Sequence, residues 1–288
     1  MTQALFGQLL LGLINGSFYA LLSLGLAIIF GLLNVVNFAH GALYMMGAFA
    51  AWMGLTYLGI PYGWALVLVP AAIGVLGVAV ERLLLRRLYG LDNLYGLLLT
   101  FGLTLVAEGL FHHAYGNSGY SYPVPEALRG GVNLGFMYLP IYRAWVVVVS
   151  IFVCTNAWFV VERTKLGAYL RAGTENPRLL QAFGVNVPLM FTITYGFGAA
   201  LAAFAGVMAA PVYQVTPLMG SSLVIVVFAV VVIGGMGSIA GSILTGLGVG
   251  LVEGLTKFLY PEASSVVVFV LMAVVLLVRP AGLFGRTR

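Results

Sequence analysis

Asn34, Asn37 and His40 are the polar side chains of this sequence that most need explaining, because they follow one long apolar run and precede another. An amide or imidazole in that place can cap a helix end at a membrane interface. It can equally line a polar path for a solute. The segment reads NVVNFAHG and closes on Gly41. A second interruption falls at Gly234, Gly235, Met236 and Gly237, just before Ser238. Glycine penalises a continuous helix by about 1 kcal/mol per residue, so three in four residues favour a break. A break frees backbone N–H and C=O groups, which transporters use at membrane depth to hold substrates. Both interruptions follow long apolar runs, a pattern of paired half-helices.

The remaining polar groups do not assemble a catalytic set. An intramembrane enzyme needs a nucleophile with a base, or metal ligands, at helical spacing, and His40 alone is neither. His112 and His113 are adjacent and do not share a helix face, which argues against a joint metal site. Cys154 is the single cysteine and lies in an apolar run, so it reads as a small buried hydrophobe. Glu108 and Glu253 fall near outer ends of apolar runs, where snorkelling or solvated pairing suffices. Lys257 follows Glu253 by four residues, the favourable order for an intrahelical pair. With no acidic residue near the middle of a run, a stand-alone secondary transporter or channel is the weaker reading. No G-x-x-x-x-G-K-[ST] phosphate loop is present, so ATP chemistry would have to come from another chain.

The elements that must position these residues are membrane spans. Apolar residues make up 62% of the 288, and charged residues only 7%, against about 25% in an ordinary soluble chain. Apolar runs lie near 5–32, 42–60, 63–80, 93–114, 143–161, 188–212, 221–235, 239–257 and 263–278. Each approaches the roughly 20 residues that cross a bilayer core. The runs do not alternate at period two, which selects helices over a barrel. The expected fold is an all-α polytopic membrane protein, a bundle of about eight or nine spans with glycine-interrupted helices, forming one transmembrane domain over 1–288. No basic n-region or cleavage site marks the start, so the first run reads as a retained span. The small residues Ser238, Ser242, Gly246, Gly250 and Gly254 recur every four positions, a stripe for close helix packing.

Basic residues orient the bundle. Arg82, Arg86 and Arg87, then Arg163, Lys165, Arg171 and Arg178, then Arg279, Arg286 and Arg288 fall on one side of a nine-span chain. The positive-inside rule makes that side, and the C-terminus, cytoplasmic. The +5 charge is then a membrane signature and not a nucleic-acid one. The outer segment from Tyr115 to Tyr142, rich in Tyr, Gly and Pro, is either an interfacial aromatic belt or a docking surface for an external partner.

The loop 162–187 is longer than a span-to-span link requires. Within it Asn176 is a good N-cap, Pro177 suits the first helical position, and Gly184 can end the helix in the left-handed conformation. A two-turn helix over 177–183 follows, with Leu179, Leu180 and Phe183 on one face. Such a helix is not stable alone in water. Its apolar face therefore lies on the membrane surface or on the protein's own helix ends, or else enters a groove on a cytoplasmic partner.

Three blocks carry a resemblance: NGSFYALLSLGLAIIFGLLNVVNFAHG at 15–41, LGAYLRAGTENPRLLQAFGV at 166–185, and VIGGMGSIAGSILTG at 232–246 with RPAGLFGR at 279–286. The chain resembles, nearly end to end, the permease subunits of branched-chain amino acid ABC importers. The resemblance implies a helical bundle that pairs with a second permease, like or unlike, and works by alternating access. It implies two ATP-binding subunits that hold ATP and Mg, an extracytoplasmic substrate-binding protein, and no cofactor in this chain. It also implies a bacterial or archaeal inner membrane, and a cargo that is an apolar amino acid or, alternatively, urea or another amide. Arg171, Ala172, Asn176, Pro177 and Gly184 match the loop that docks on the ATPase, with Leu179, Leu180 and Phe183 as its apolar face. Asn34, Asn37, His40, Gly41, Gly234, Gly235, Gly237 and Ser238 are the candidates for the translocation path.

Overall fold

The computed structural model describes residues 2–33 and 36–285. Five long helices come first: α1 (Thr2–Leu33), α2 (Ala39–Leu58), α3 (Tyr62–Leu83), α4 (Asn93–Tyr115) and α5 (Ile141–Arg163). Two short helices, α6 (Lys165–Glu175) and α7 (Pro177–Ala182), lead into α8 (Val187–Ala209). Then come α9 (Met219–Gly234), α10 (Ile239–Leu259) and α11 (Val267–Val278). Among the described residues, seven helices are long and apolar enough to cross a membrane: α1 to α5, α8 and α10.

The last runs differ from the expectation of equal spans. Helix α9 has 16 residues and α11 has 12, rises of about 24 and 18 Å against a hydrocarbon core of about 30 Å. Helix α9 stops because Gly235 and Gly237 take φ of 100° and 86°, values open to glycine and to few other residues. Helix α11 starts late because Pro261–Ala263 forms a separate 3-10 turn.

Among the described residues, β structure is confined to one short hairpin and an isolated bridge between Tyr120 and Val215. Strands β1 (Gly131–Asn133) and β2 (Tyr138–Pro140) pair antiparallel, Gly131 opposite Pro140. Gly135, at φ 82°, turns the hairpin, and its N–H donates to Asn133 Oδ1 at 2.9 Å.

The described residues form two compact units. The first takes the chain up to Leu24, Pro123–Thr155, and the chain from Ile225. There the stripe on α10 packs against α1 as its spacing predicts. A Cβ on Gly246 would lie 2.6 Å from Ala20 Cα, and one on Gly254 would lie 3.0 Å from Gly12 Cα. Close backbone approach of this kind is how helices associate where lipid removes the hydrophobic drive. Ser23 Oγ donates to Ser242 O at 3.1 Å. Glu253 is paired twice over: Tyr19 OH donates to it at 2.7 Å, and Lys257 Nζ closes the intrahelical pair. Cys154 is buried beside Ser150, Ile243 and Leu247, around a small cavity of about 40 Å³.

The second unit takes Gly25–Tyr122 and Asn156–Val224. Helix α8 packs against α2 and α3 through small residues. A Cβ on Gly47 would meet the backbone of Ala203, and one on Gly77 would lie 2.6 Å from Ala199 Cβ.

Candidate functional site

The loop after α5 is helical over most of its length. Helix α6 was not foreseen. Its Arg171 guanidinium donates to Val161 O at 3.2 Å and pairs with Glu162 at 3.3 Å, which ties α6 back to the end of α5. Ala172 lies on the exposed face of α6. Asn176 Oδ1 then accepts the Leu179 N–H at 3.0 Å, Pro177 opens α7, and Gly184 leaves it at φ 82°. The start and stop signals thus act as their chemistry dictates, with Phe183 as the cap residue just beyond α7.

The apolar face of α7 differs from the expectation. Leu180 turns inward and is buried, near Gly173 of α6, whose added Cβ would lie 3.4 Å from Leu180 Cδ2 and 2.8 Å from Met190 Cε. Leu179 and Phe183 point outward, 56% and 77% exposed. Adjacent helical residues diverge by about 100°, whereas i and i+4 share a face. The three residues therefore cannot serve one surface: one anchors α7 to its own chain, and two are left outside.

Just behind this loop lies a buried carboxylate that the sequence reading passed over. Glu81, near the end of α3, is 0% exposed. Thr192 Oγ1 of α8 donates to it at 2.6 Å, and Tyr89 OH donates at 2.7 Å. The Tyr89 ring stands edge-on to Phe191, at 6.0 Å between centroids. Burial, and then the hydrogen bond and charge of Glu81, push the Tyr89 phenol far above its ordinary value, so it stays a donor. The link joins α3 to the first turns of α8, which follow directly on the loop.

Of the path candidates in the second unit, Asn34 lies outside the described residues. Asn37 is buried, and its Oδ1 accepts from Tyr195 OH at 3.5 Å. Its neighbour Phe38 donates its N–H to Thr100 Oγ1 of α4 at 3.2 Å. His40 is buried in the first turn of α2 beside Gly25 and Gly198. Gly41 abuts the backbone of Gly220, where an added Cβ would lie 2.7 Å from the carbonyl oxygen. These residues are packed inside the unit.

Glu108 requires a correction. It does not sit in solvated pairing at the edge of a span. It is 9% exposed and accepts a hydrogen bond from Ser221 Oγ, at the start of α9. Gly96, Thr100, Thr104 and Glu108 form the buried face of α4. Their four-residue spacing places them on one face of α4.

The other candidates lie in the first unit. Gly234 ends α9, and Ser238 caps α10 by accepting the Gly241 N–H at 3.1 Å. The break is present, but its carbonyls are taken: Leu283 N–H donates to Ile233 O at 2.8 Å, and Phe284 N–H to Gly234 O at 3.1 Å. Gly235 sits against the backbone of Gly285. Two blocks far apart in sequence, 232–246 and 279–285, thus meet to finish one broken helix.

Residues 8–276 match the family described as branched-chain amino acid transport system, permease component. The chain belongs to that family. The permease is 29% identical over 295 residues to the high-affinity branched-chain amino acid transport system permease protein LivH of Escherichia coli strain K12, covering 97% of this chain and 95% of that one. It is 30% identical over 297 residues to the corresponding protein BraD of Pseudomonas aeruginosa, with the same coverage. It is 26% identical over 293 residues to a probable branched-chain amino acid transport permease protein LivH of Methanocaldococcus jannaschii, covering 95% and 90%. No solved structure matches the permease.

Proposed function

We propose that this permease is one membrane subunit of an ATP-binding-cassette importer that carries branched-chain or other apolar amino acids inward by alternating access. The relatives are named for branched-chain amino acid transport, which supports the cargo. A second permease completes the path, two ATP-binding subunits bind ATP and Mg and hydrolyse it, and an extracytoplasmic protein delivers the solute. The ten basic residues grouped at 82–87, 163–178 and 279–288 favour a cytoplasmic face for α6, α7 and the C-terminus. Relatives in bacteria and an archaeon support a prokaryotic cytoplasmic membrane.

The observation that carries the coupling is the surface of α7. A two-turn helix with Leu179 and Phe183 exposed beyond its own packing is complete only when a partner covers it. Leu180, Gly173 and Met190 then pass the motion of α7 to α8, and Glu81 passes it on to α3.

The test is Phe183→Asp in the complex co-expressed with its ATPases, permease partner and binding protein. A carboxylate in that groove meets a desolvation penalty of several kcal/mol. Co-purification of the ATPase falls, and solute-stimulated hydrolysis falls with it, while membrane insertion is unchanged. Full stoichiometry with unchanged stimulated hydrolysis would remove α7 from the coupling role.

A further inference from the structure

Four carboxylates lie within the long helices, and their surroundings differ. Glu162, at the end of α5, pairs with Arg171 at 3.3 Å. Glu253 has Lys257 and Tyr19. Glu81 accepts two hydroxyls close to the end of α3. Glu108 stands about 10 Å short of the end of α4, is buried, and has Ser221 as its one hydrogen-bond donor among the described residues. No Lys, Arg or His pairs with it among those residues. An intramembrane carboxylate of this kind is expensive to keep without a counter-charge, and such groups mark ion and substrate routes.

The surroundings of Glu108 fit a solute of a particular chemistry. Toward one end of α4, the stripe of Thr104 and Thr100 leads to the Asn37 segment, which Thr100 holds at Phe38. Beside it, Gly41 and Gly220 bring the backbones of α2 and the start of α9 together, next to Ser221. Toward the other end, Phe111 stands one turn from Glu108 on the same side of α4. Its ring is 4.8 Å from that of Phe49, which lies 5.3 Å from Tyr115. Trp52 and Tyr120 extend the cluster, at 4.3 Å between centroids. A carboxyl group one turn from an aromatic cluster matches a molecule with an ammonium group and an apolar side chain. A neutral amide such as urea offers no charge to pair.

We propose that Glu108, oriented by Ser221, receives the α-ammonium group of the transported amino acid, with the aromatic cluster against its apolar side chain. The proposal rests on the reading of this chain as an amino acid permease, and it separates amino acids from neutral amides as cargo.

The assembled complex in proteoliposomes, with radiolabelled leucine supplied through the binding protein, tests it. Wild-type complex that imports no leucine would overturn the amino acid reading, and this inference with it. Given wild-type import, Glu108→Gln lowers the rate about ten- to a hundredfold, the loss expected when a hydrogen bond to a charged group is removed. Glu108→Asp, which keeps the charge, retains part of it. Equal import by Glu108→Gln and wild type would overturn the inference and leave the importer reading intact. A second measurement needs no variant. Dicyclohexylcarbodiimide, an apolar reagent for protonated carboxyls, is applied to the wild-type complex and its adducts are mapped by mass spectrometry. Leucine slows modification of Glu108 and leaves that of Glu253 unchanged, whereas 4-methylpentanoate, the same skeleton without the amine, protects neither. Protection by both compounds, or by neither, would refute an ammonium subsite.

Discussion

Replacing Gly246 by alanine adds one methyl group where the structure has no room for it. The new Cβ would lie 2.6 Å from both Cα and N of Ala20. Carbon atoms in good contact sit about 3.5–4.0 Å apart, so α1 and α10 must part by about 1 Å along that line. The obstacle is backbone, which cannot swing aside as a side chain does. Ser23, bonded to Ser242 O at 3.1 Å, and Tyr19, bonded to Glu253, lie on the same seam and lengthen with it. Overpacking of this kind destabilises by about 1–3 kcal/mol. Gly248 supplies the control: it is on the same helix, and a Cβ there meets nothing within 4 Å. Gly248→Ala is therefore neutral, or gains up to about 1 kcal/mol from helix propensity. The assay uses the protein's own reporter. Cys154 is the single cysteine and is buried next to Ile243 and Leu247 of α10, so a fluorogenic maleimide reads unfolding in detergent as temperature rises. Gly246→Ala unmasks the thiol at lower temperature than wild type, and Gly248→Ala does not. Coincident melting of the two variants would show that this seam does not hold the first unit together.

Thr192→Val removes the α8 donor to Glu81 while keeping its shape. A buried acceptor left short of a partner costs about 1–3 kcal/mol, read as lower thermal stability in detergent; an unchanged melt would show that this link carries no strain-bearing load. Asn176→Ala removes the cap of α7 at a cost of about 1 kcal/mol, visible as faster amide exchange over 177–182; unchanged exchange would mean the cap is dispensable. In a Cys154→Ala background, a membrane-impermeant maleimide added from outside should modify Ser121→Cys and spare Ala172→Cys. The reverse labelling would invert the orientation.

The long helices were legible because hydropathy alone defines them: an apolar run of span length has few alternatives. Helix α7 was legible because its signals are adjacent residues, and caps act over one turn. What escaped notice depends on neighbours in space. Leu179 and Leu180 differ by one position, and only α6 and α8 decide which is covered. Glu81 stands beside Arg82 at a helix end, and its burial needs Thr192, 111 residues away. The inward stripe of Thr100, Thr104 and Glu108 was present in the spacing, but three polar residues do not reveal which face of α4 meets the protein. The hairpin of three-residue strands is too short for any periodicity to register.

The closure of the α9–α10 break by residues 283 and 284 has a consequence for biosynthesis. The carbonyl of Ile233 waits for an N–H that is 50 residues downstream. A ribosome adds about 5–20 residues per second, so the wait lasts a few seconds after α9 has emerged. Until then two carbonyls at a helix end lack their permanent donors, and hydrocarbon penalises such groups by several kcal/mol. The angle between α9 and α10 is therefore set only after α11 has been made and the glycines at 282 and 285 have slid into place beside Gly235. Along this stretch assembly runs against the direction of synthesis: the later segment acts as an internal chaperone for the pair of helices before it.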